Sequence, residues 1–318
     1  MKKVLLYTTI VLNSLFAMVA QQDPQYTQYT KNQSIFNPAY ATSDLGVINF
    51  GFMHRSQWAN AVGGPKTNTF FVHSPLSKKI EVGFSLVNDN IGDGISKETN
   101  FYADFAYILQ LNEFHNLSFG LKAGFTNLAT NFNNFKLPDD DISTGNSSND
   151  DAFINRNSTL PNFGLGAFYF TNKYYFGIAA PNLIKAKHIE ESDELKSTEG
   201  EEIHLFINGG YVYKLSDIIK LKPSFLLKAV KGSPLSLDTS LNILFNKRLE
   251  GGVSYRLNES LSAMANFRIT TSLSLGYAFD FTTSNLRNFN SGSHEVFILF
   301  DFDTFKLKEG FDKSPRFF

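Results

Sequence analysis

Six histidines are the side chains best suited to chemistry at neutral pH: His54, His73, His115, His188, His204 and His294. A zinc site would need two of them at i, i+4 on a helix, or cysteines beside them. No pair has that spacing and the chain has no cysteine. The histidines therefore read as strand-end or interface residues, and no metal site is expected. A lipid hydrolase would need serine, histidine and a carboxylate or amide close together at the interface. His54 precedes Ser56 by two positions, and His294 follows Ser293. Adjacent side chains on a strand point to opposite faces, so such neighbours do not make a site. No catalysis is expected. Asp139-Asp140-Asp141 and Asn149-Asp150-Asp151 gather oxygen ligands of the kind calcium takes within 129–159. Their spacing is not that of an EF-hand, and the Asn- and Ser-rich surroundings favour a solvated loop. Gly63-Gly64, Gly92-Asp93-Gly94 and Gly251-Gly252 lack a strand–helix context and read as turns or strand bends. No cofactor is expected.

The elements carrying these residues follow from composition and pattern. Met1-Lys2-Lys3 and a mostly apolar run from Val4 to Ala20 form a secretory signal peptide, with cleavage expected after Ala20. Thr8, Thr9, Asn13 and Ser14 interrupt that run, so it is a poor spanning helix. No later stretch is long and apolar enough to be one, so a membrane would have to be crossed by strands. Hydrophobic residues make up 42% of the chain, and the mean hydropathy is −0.16. A barrel reconciles these values with a membrane because only alternate residues face lipid. The 33 Phe and 13 Tyr suit a lipid face and its interfacial girdles. A net charge of −1 gives no sign of nucleic-acid binding.

Period-two alternation recurs along the chain. Ile80, Val82, Phe84 and Leu86 alternate with Glu81, Gly83 and Ser85. Leu273, Leu275, Tyr277, Phe279 and Phe281 alternate with Ser274, Gly276, Ala278 and Asp280. The same pattern puts Asp238, Arg268 and Asp280 on polar faces, away from lipid. About fourteen strands are expected; those with the clearest alternation run for about 9–11 residues, the length that spans a bilayer when tilted, and others, at 97–110, 115–128 and 160–171, are longer. The predicted fold is all-β, an antiparallel transmembrane β-barrel over 46–305. Residues 21–45 form an N-terminal periplasmic or plug segment, and 306–318 a periplasmic tail.

Every long connection is odd-numbered: 57–66, 89–96, 129–159, 181–202 and 283–293. The even ones are short. An even strand number with both ends in the periplasm places all the long loops outside the cell.

Several motifs go beyond architecture. The N-terminal part carries Gln22-Asp23-Pro24-Gln25-Tyr26-Thr27-Gln28-Tyr29, Asn37-Pro38-Ala39-Tyr40-Ala41 and Arg55-Ser56-Gln57-Trp58. Tyr102-Ala103-Asp104-Phe105-Ala106-Tyr107 and Leu221-Lys222-Pro223-Ser224-Phe225 follow, and the chain closes with Asn290-Ser291-Gly292-Ser293-His294-Glu295 and Ser314-Pro315-Arg316-Phe317-Phe318. The mature chain resembles the PorP/SprF family of type IX secretion system membrane proteins over essentially its whole length. That resemblance implies an outer-membrane barrel serving type IX export, without enzymatic activity. It implies as partners the C-terminal domain of a secreted cargo protein, often a large surface adhesin used in gliding, other machinery components and the lipid bilayer. Tyr26, Tyr29, Asn37, Pro38, Tyr40, Trp58, Pro315, Arg316, Phe317 and Phe318 match family motifs, as plug or partner contacts. Two other roles remain open at this point: a core component tied to the periplasmic ring, and a small-solute channel like a fatty-acid transporter.

Overall fold

The computed structural model describes residues 24–40, 47–132, 155–184, 187–188, 199–200 and 202–303. Among these, fourteen antiparallel strands form one closed sheet. They are β1 (Val47–Ser56), β2 (Lys66–Pro75), β3 (Ile80–Ile91), β4 (Ser96–Gln110), β5 (Asn116–Thr130), β6 (Arg156–Phe170) and β7 (Tyr174–Ala180). Then come β8 (His204–Tyr211, continued by Tyr213–Lys214), β9 (Ile219–Val230), β10 (Ser236–Phe245), β11 (Leu249–Arg256), β12 (Ser260–Arg268), β13 (Leu273–Thr282) and β14 (Ser293–Asp303). Each pairs with its neighbours in sequence. The ladder from Val47↔Asp303 to Ser56↔His294 joins β1 to β14 and closes the barrel. Closure removes the free edges that an open sheet would present to lipid.

The faces are inverted relative to a soluble protein. On β4, Asn100, Tyr102 and Asp104 point inward and are buried, while Phe101, Phe105, Tyr107 and Leu109 are exposed on the outer face. Asp238 and Asp280 are buried on the inner face, where alternation placed them. Arg268 lies on the same face of β12 as Ser262 and Asn266. Pro223 of β9 falls in the gap between the pairs Gly210↔Ser224 and Tyr213↔Leu221, where the β8–β9 pairing is interrupted, as suits a residue without an N–H.

Strand edges move by a few residues. β4, β5 and β6 each run for 15 residues, against the expected 97–110, 115–128 and 160–171. Their extra length prolongs the pairing beyond what a bilayer needs. The connection expected over 89–96 shrinks to 92–95, because β3 and β4 stay paired to Ile91↔Ser96. The long/short asymmetry otherwise holds. The connections 57–65, 131–155, 181–203 and 283–292 share one end of the barrel, and the short turns 76–79, 171–173 and 246–248 share the other. Tyr107, Tyr174 and Tyr211 lie on the outer face near the short-turn end, and Tyr174 stacks on Tyr211 at 6.3 Å. That is a girdle of the kind found at a membrane interface.

Candidate functional site

The lumen is occupied by residues 24–40, which form one short 3-10 turn (Tyr29–Lys31) and one α-helical turn (Gln33–Phe36). The segment adds no strand to the sheet. Pro24 and Gln25 lie at the long-loop end, beside Trp58 and Leu286. Tyr40 lies near the short-turn end, against His73 and Phe168. The chain thus passes through the barrel from one end to the other.

A buried ionic cluster holds the upper part of this segment. Arg55 of β1 reaches Asp280 of β13 at 2.6 Å and Glu295 of β14 at 3.1 Å. The backbone N–H groups of Thr27 and Gln28 donate to the two oxygens of Glu295 at 2.9 and 2.8 Å. Arg55 also donates to Thr27 Oγ1 at 2.8 Å, and that hydroxyl donates to Asp280 at 2.7 Å. Beside it, Arg256 of β11 pairs with Asp238 of β10 at 2.7 Å and donates to Gln25 Oε1 at 2.7 Å. Buried charges persist where partners replace lost hydration, and here each guanidinium finds its carboxylate on another wall strand.

Lower down, Lys222 of β9 pairs with Glu250 of β11 at 2.6 Å. Lys31 of the segment adds a second cation to Glu250 at 3.2 Å. Burial pulls the Lys31 ammonium down to about 8, against the opposing pull of Glu250. On the other wall, Lys122 pairs with Asp104 at 3.3 Å and donates to Ile35 O at 3.1 Å. The Tyr29 hydroxyl bonds Ser224 at 3.0 Å and Ser240 at 2.8 Å. Burial raises that phenol to about 12.

The Asn37-Pro38-Ala39 bend lies against glycines of the wall. A Cβ on Gly120 of β5 would meet the Pro38–Ala39 backbone, and one on Gly166 of β6 would meet the Asn37 side chain. Only glycine permits so close a backbone approach. Asn37 Nδ2 donates to Ala167 O at 3.2 Å, and Asn37 Oδ1 accepts from Ala39 N at 2.9 Å. Below it, Tyr40 packs with Ala106 and Ile108 of β4, Phe168 and Phe170 of β6 and Tyr175 of β7 in an apolar cluster on one side of the wall.

At the long-loop end, three connections are tied together. Ala59 N donates to Gly292 O at 2.7 Å, Ser291 N to Ala59 O at 2.8 Å and Gly92 N to Gly63 O at 2.9 Å. Trp58 has a φ of 51°, a left-handed conformation that costs a side chain about 1–2 kcal/mol. Its N–H donates to Ser293 Oγ at 3.1 Å. Val62, Leu286 and Phe289 are exposed on this rim. A cavity of about 440 Å³ lies between the rim and the segment, lined by Pro24, Trp58, Glu259 and Leu286 among others.

A family model described as Type IX secretion system membrane protein PorP/SprF matches residues 18–300. The chain belongs to this family. It is an outer-membrane protein of the type IX secretion system: the family supplies the system, and the closed barrel the means of crossing the membrane. Family and fold are those of a secretion-system membrane barrel rather than an enzyme. A search of curated proteins finds no match. Solved structures similar in shape include a Pseudomonas aeruginosa FadL homologue, at 12% identity and TM-score 0.47, covering 89% of this chain and 95% of that one. The Acinetobacter baumannii outer membrane protein Omp33 is similar at 9% identity and TM-score 0.45, covering 81% and 99%. The CymD monoaromatic hydrocarbon channel is similar at 11% identity and TM-score 0.46, covering 87% and 92%.

Of the motif residues named from sequence, the structure brings Tyr26, Tyr29, Asn37, Pro38 and Tyr40 into the lumen. Tyr26 bonds Thr69 at 2.6 Å and packs with Met53, Phe71 and Phe297. Trp58 stands apart on the rim. Pro315, Arg316, Phe317 and Phe318 lie outside the described residues, as do both acidic runs of the 129–159 connection and the leader. His204 opens β8, in line with the strand-end reading, and is buried on the inner face. His73 lies within β2 and is buried in the lumen 3.0 Å from Glu81. Sequence reasoning did not single out Arg55, Lys122, Lys222, Glu250 or Glu295. Their signal was a charge on the polar face of an alternating strand, and several lay within the quoted motifs.

Proposed function

We propose that this protein is a non-enzymatic barrel that receives or anchors one secreted type IX cargo protein at the cell surface, such as a large adhesin used in gliding. In this reading the leader 1–20 is removed on export, the long-loop end faces outward and the tail 306–318 lies in the periplasm. The observation that carries it is the occupied lumen. A solute transporter needs a continuous lined path, whereas with residues 24–40 seated the segment bonds to opposite walls through Glu295, Ser240 and Ala167 and fills that path. The tied rim supports the same reading. Val62, Leu286 and Phe289 stand exposed there on connections held by one another's backbone, a preformed surface for the cargo's C-terminal domain.

Affinity purification from the native membrane with mass spectrometry, paired with a deletion strain, tests this. One large secreted protein should be enriched, and it alone should be lost from the deletion strain's surface. Recovery of ring components with loss of every cargo would instead make the protein a core part of the machine. A deletion strain that displays all its cargo would exclude both roles.

A further inference from the structure

We propose that residues 24–40 are a displaceable gate, and that the wall they leave is a water-filled pore for ions and small polar solutes.

Barrel closure does not involve the segment. The β1–β14 ladder closes the sheet, and residues 24–40 contribute no strand. The wall pairs its own cations. Arg256 with Asp238, Lys222 with Glu250 and Lys122 with Asp104 are one-to-one pairs between wall strands, and Arg55 is shared by Asp280 and Glu295. Removing the segment therefore leaves none of these buried charges without a partner of opposite sign, the loss that costs most; Glu295 exchanges the Thr27 and Gln28 N–H donors for water. Much of the remaining inner face is Ser and Asn, including Ser118, Asn162, Asn208, Ser240, Asn242 and Asn266. Water satisfies such a surface, so it need not collapse on vacancy.

The seated segment is also incompletely bonded. The side chains of Gln28, Asn32 and Ser34 are buried without a hydrogen-bond partner among the described residues. Each such group carries a desolvation cost that release removes. Lys31 is the segment's one charge, and it joins a carboxylate that Lys222 already neutralises. What retains the segment is Tyr26, Tyr29, Phe36 and Tyr40, packed in three separate apolar clusters, together with neutral and charge-assisted hydrogen bonds such as those of Thr27 and Gln28 to Glu295, which water can replace on release. The apolar cluster around Tyr40, contributed by β4, β6 and β7, lines the path at the short-turn end, and an apolar lining resists wetting until it opens.

The test is conductance of the purified full-length barrel in planar bilayers in potassium chloride, with arabinose-driven liposome swelling beside it. Gly120→Val is the decisive variant. Its side chain would occupy the space of the Pro38–Ala39 backbone, while valine suits the strand. A barrel lacking residues 24–40 is the second variant. Heat-modifiable gel migration identifies folded protein in each. The wild type should be closed, with reversible openings that multiply in about 2 M urea. Both variants should conduct steadily, on the order of tenfold above it. Folded variants no more conductive than the wild type would show that the wall closes without the segment. A wild type that stays shut in urea until the barrel itself unfolds would make residues 24–40 a fixed part of the fold. Cargo capture is read separately by copurification, so either proposal can fail alone.

Discussion

Glu295→Gln tests whether the lumen's upper cluster acts as a unit. Glu295 is 1% exposed, and its oxygens accept from Arg55 and from the N–H groups of Thr27 and Gln28. Breaking a buried ion pair costs roughly 3–5 kcal/mol. Asp280 remains 2.6 Å from Arg55 Nη2, which puts the charge loss near the lower end of that range. The glutamine oxygen can serve one backbone N–H, while its amide meets the other donor and leaves it unpaired, at about 1–3 kcal/mol. The expected destabilisation is about 3–5 kcal/mol after allowing for overlap between these effects. Arg55→Met alone leaves Asp280 and Glu295 facing each other without their cation, at a similar cost. The double variant should lose less than the two single losses combined, by about 1.5–3 kcal/mol. Urea unfolding from lipid vesicles measures each stability. Trp58 is the chain's one tryptophan, and its bond to Ser293 on the strand that carries Glu295 makes its emission a local reporter. Single losses that add to within about 0.5 kcal/mol would refute the coupling.

Two further predictions concern the segment and the lipid face. Lys31 titrates at about 8 when seated against an ordinary 10.5 when released, so seating expels a proton. Seating should therefore strengthen as pH rises from about 8 to 10, by up to ~3 kcal/mol, while above 10 ionisation of released Tyr29, whose seated phenol is raised to about 12, opposes it. Lys31→Met should abolish the slope of Trp58 emission against pH in moderate urea below pH ~10. Leu121→Arg places a charge on the outer face of β5, where Leu121 is 57% exposed. It should cost about 2–4 kcal/mol in vesicle unfolding if that position lies at mid-bilayer depth; a neutral result would mean that it does not face the hydrocarbon.

The neighbouring pair Leu121 and Lys122 shows why so much of the architecture was legible in advance. Successive side chains on a strand take opposite faces. One registers lipid and the next the lumen, so a charge such as Asp280 marks the inner face without any contact being known. The same local rule located all fourteen strands. It failed at strand ends. Pairing of 89–91 with 96–98 depends on the partner strand, and nothing local distinguishes a paired asparagine from a loop one. The N-terminal motif was visible, but its place was not. Residues 24–40 have neither strand nor extended helical period, so their path follows only from the walls around them.

Sequence determined the strands, the face each residue takes, the uneven ends and the family. These are properties of short windows or of ordered motifs along one chain. Tertiary structure alone decided that Arg55 meets Asp280 and Glu295 across more than 220 positions of sequence. It also decided that Glu295 receives the backbone of Thr27 and Gln28, and that Gly120 makes room for Pro38. Those contacts exist because the last strand closes on the first, and closure brings together residues that no spacing along the chain relates.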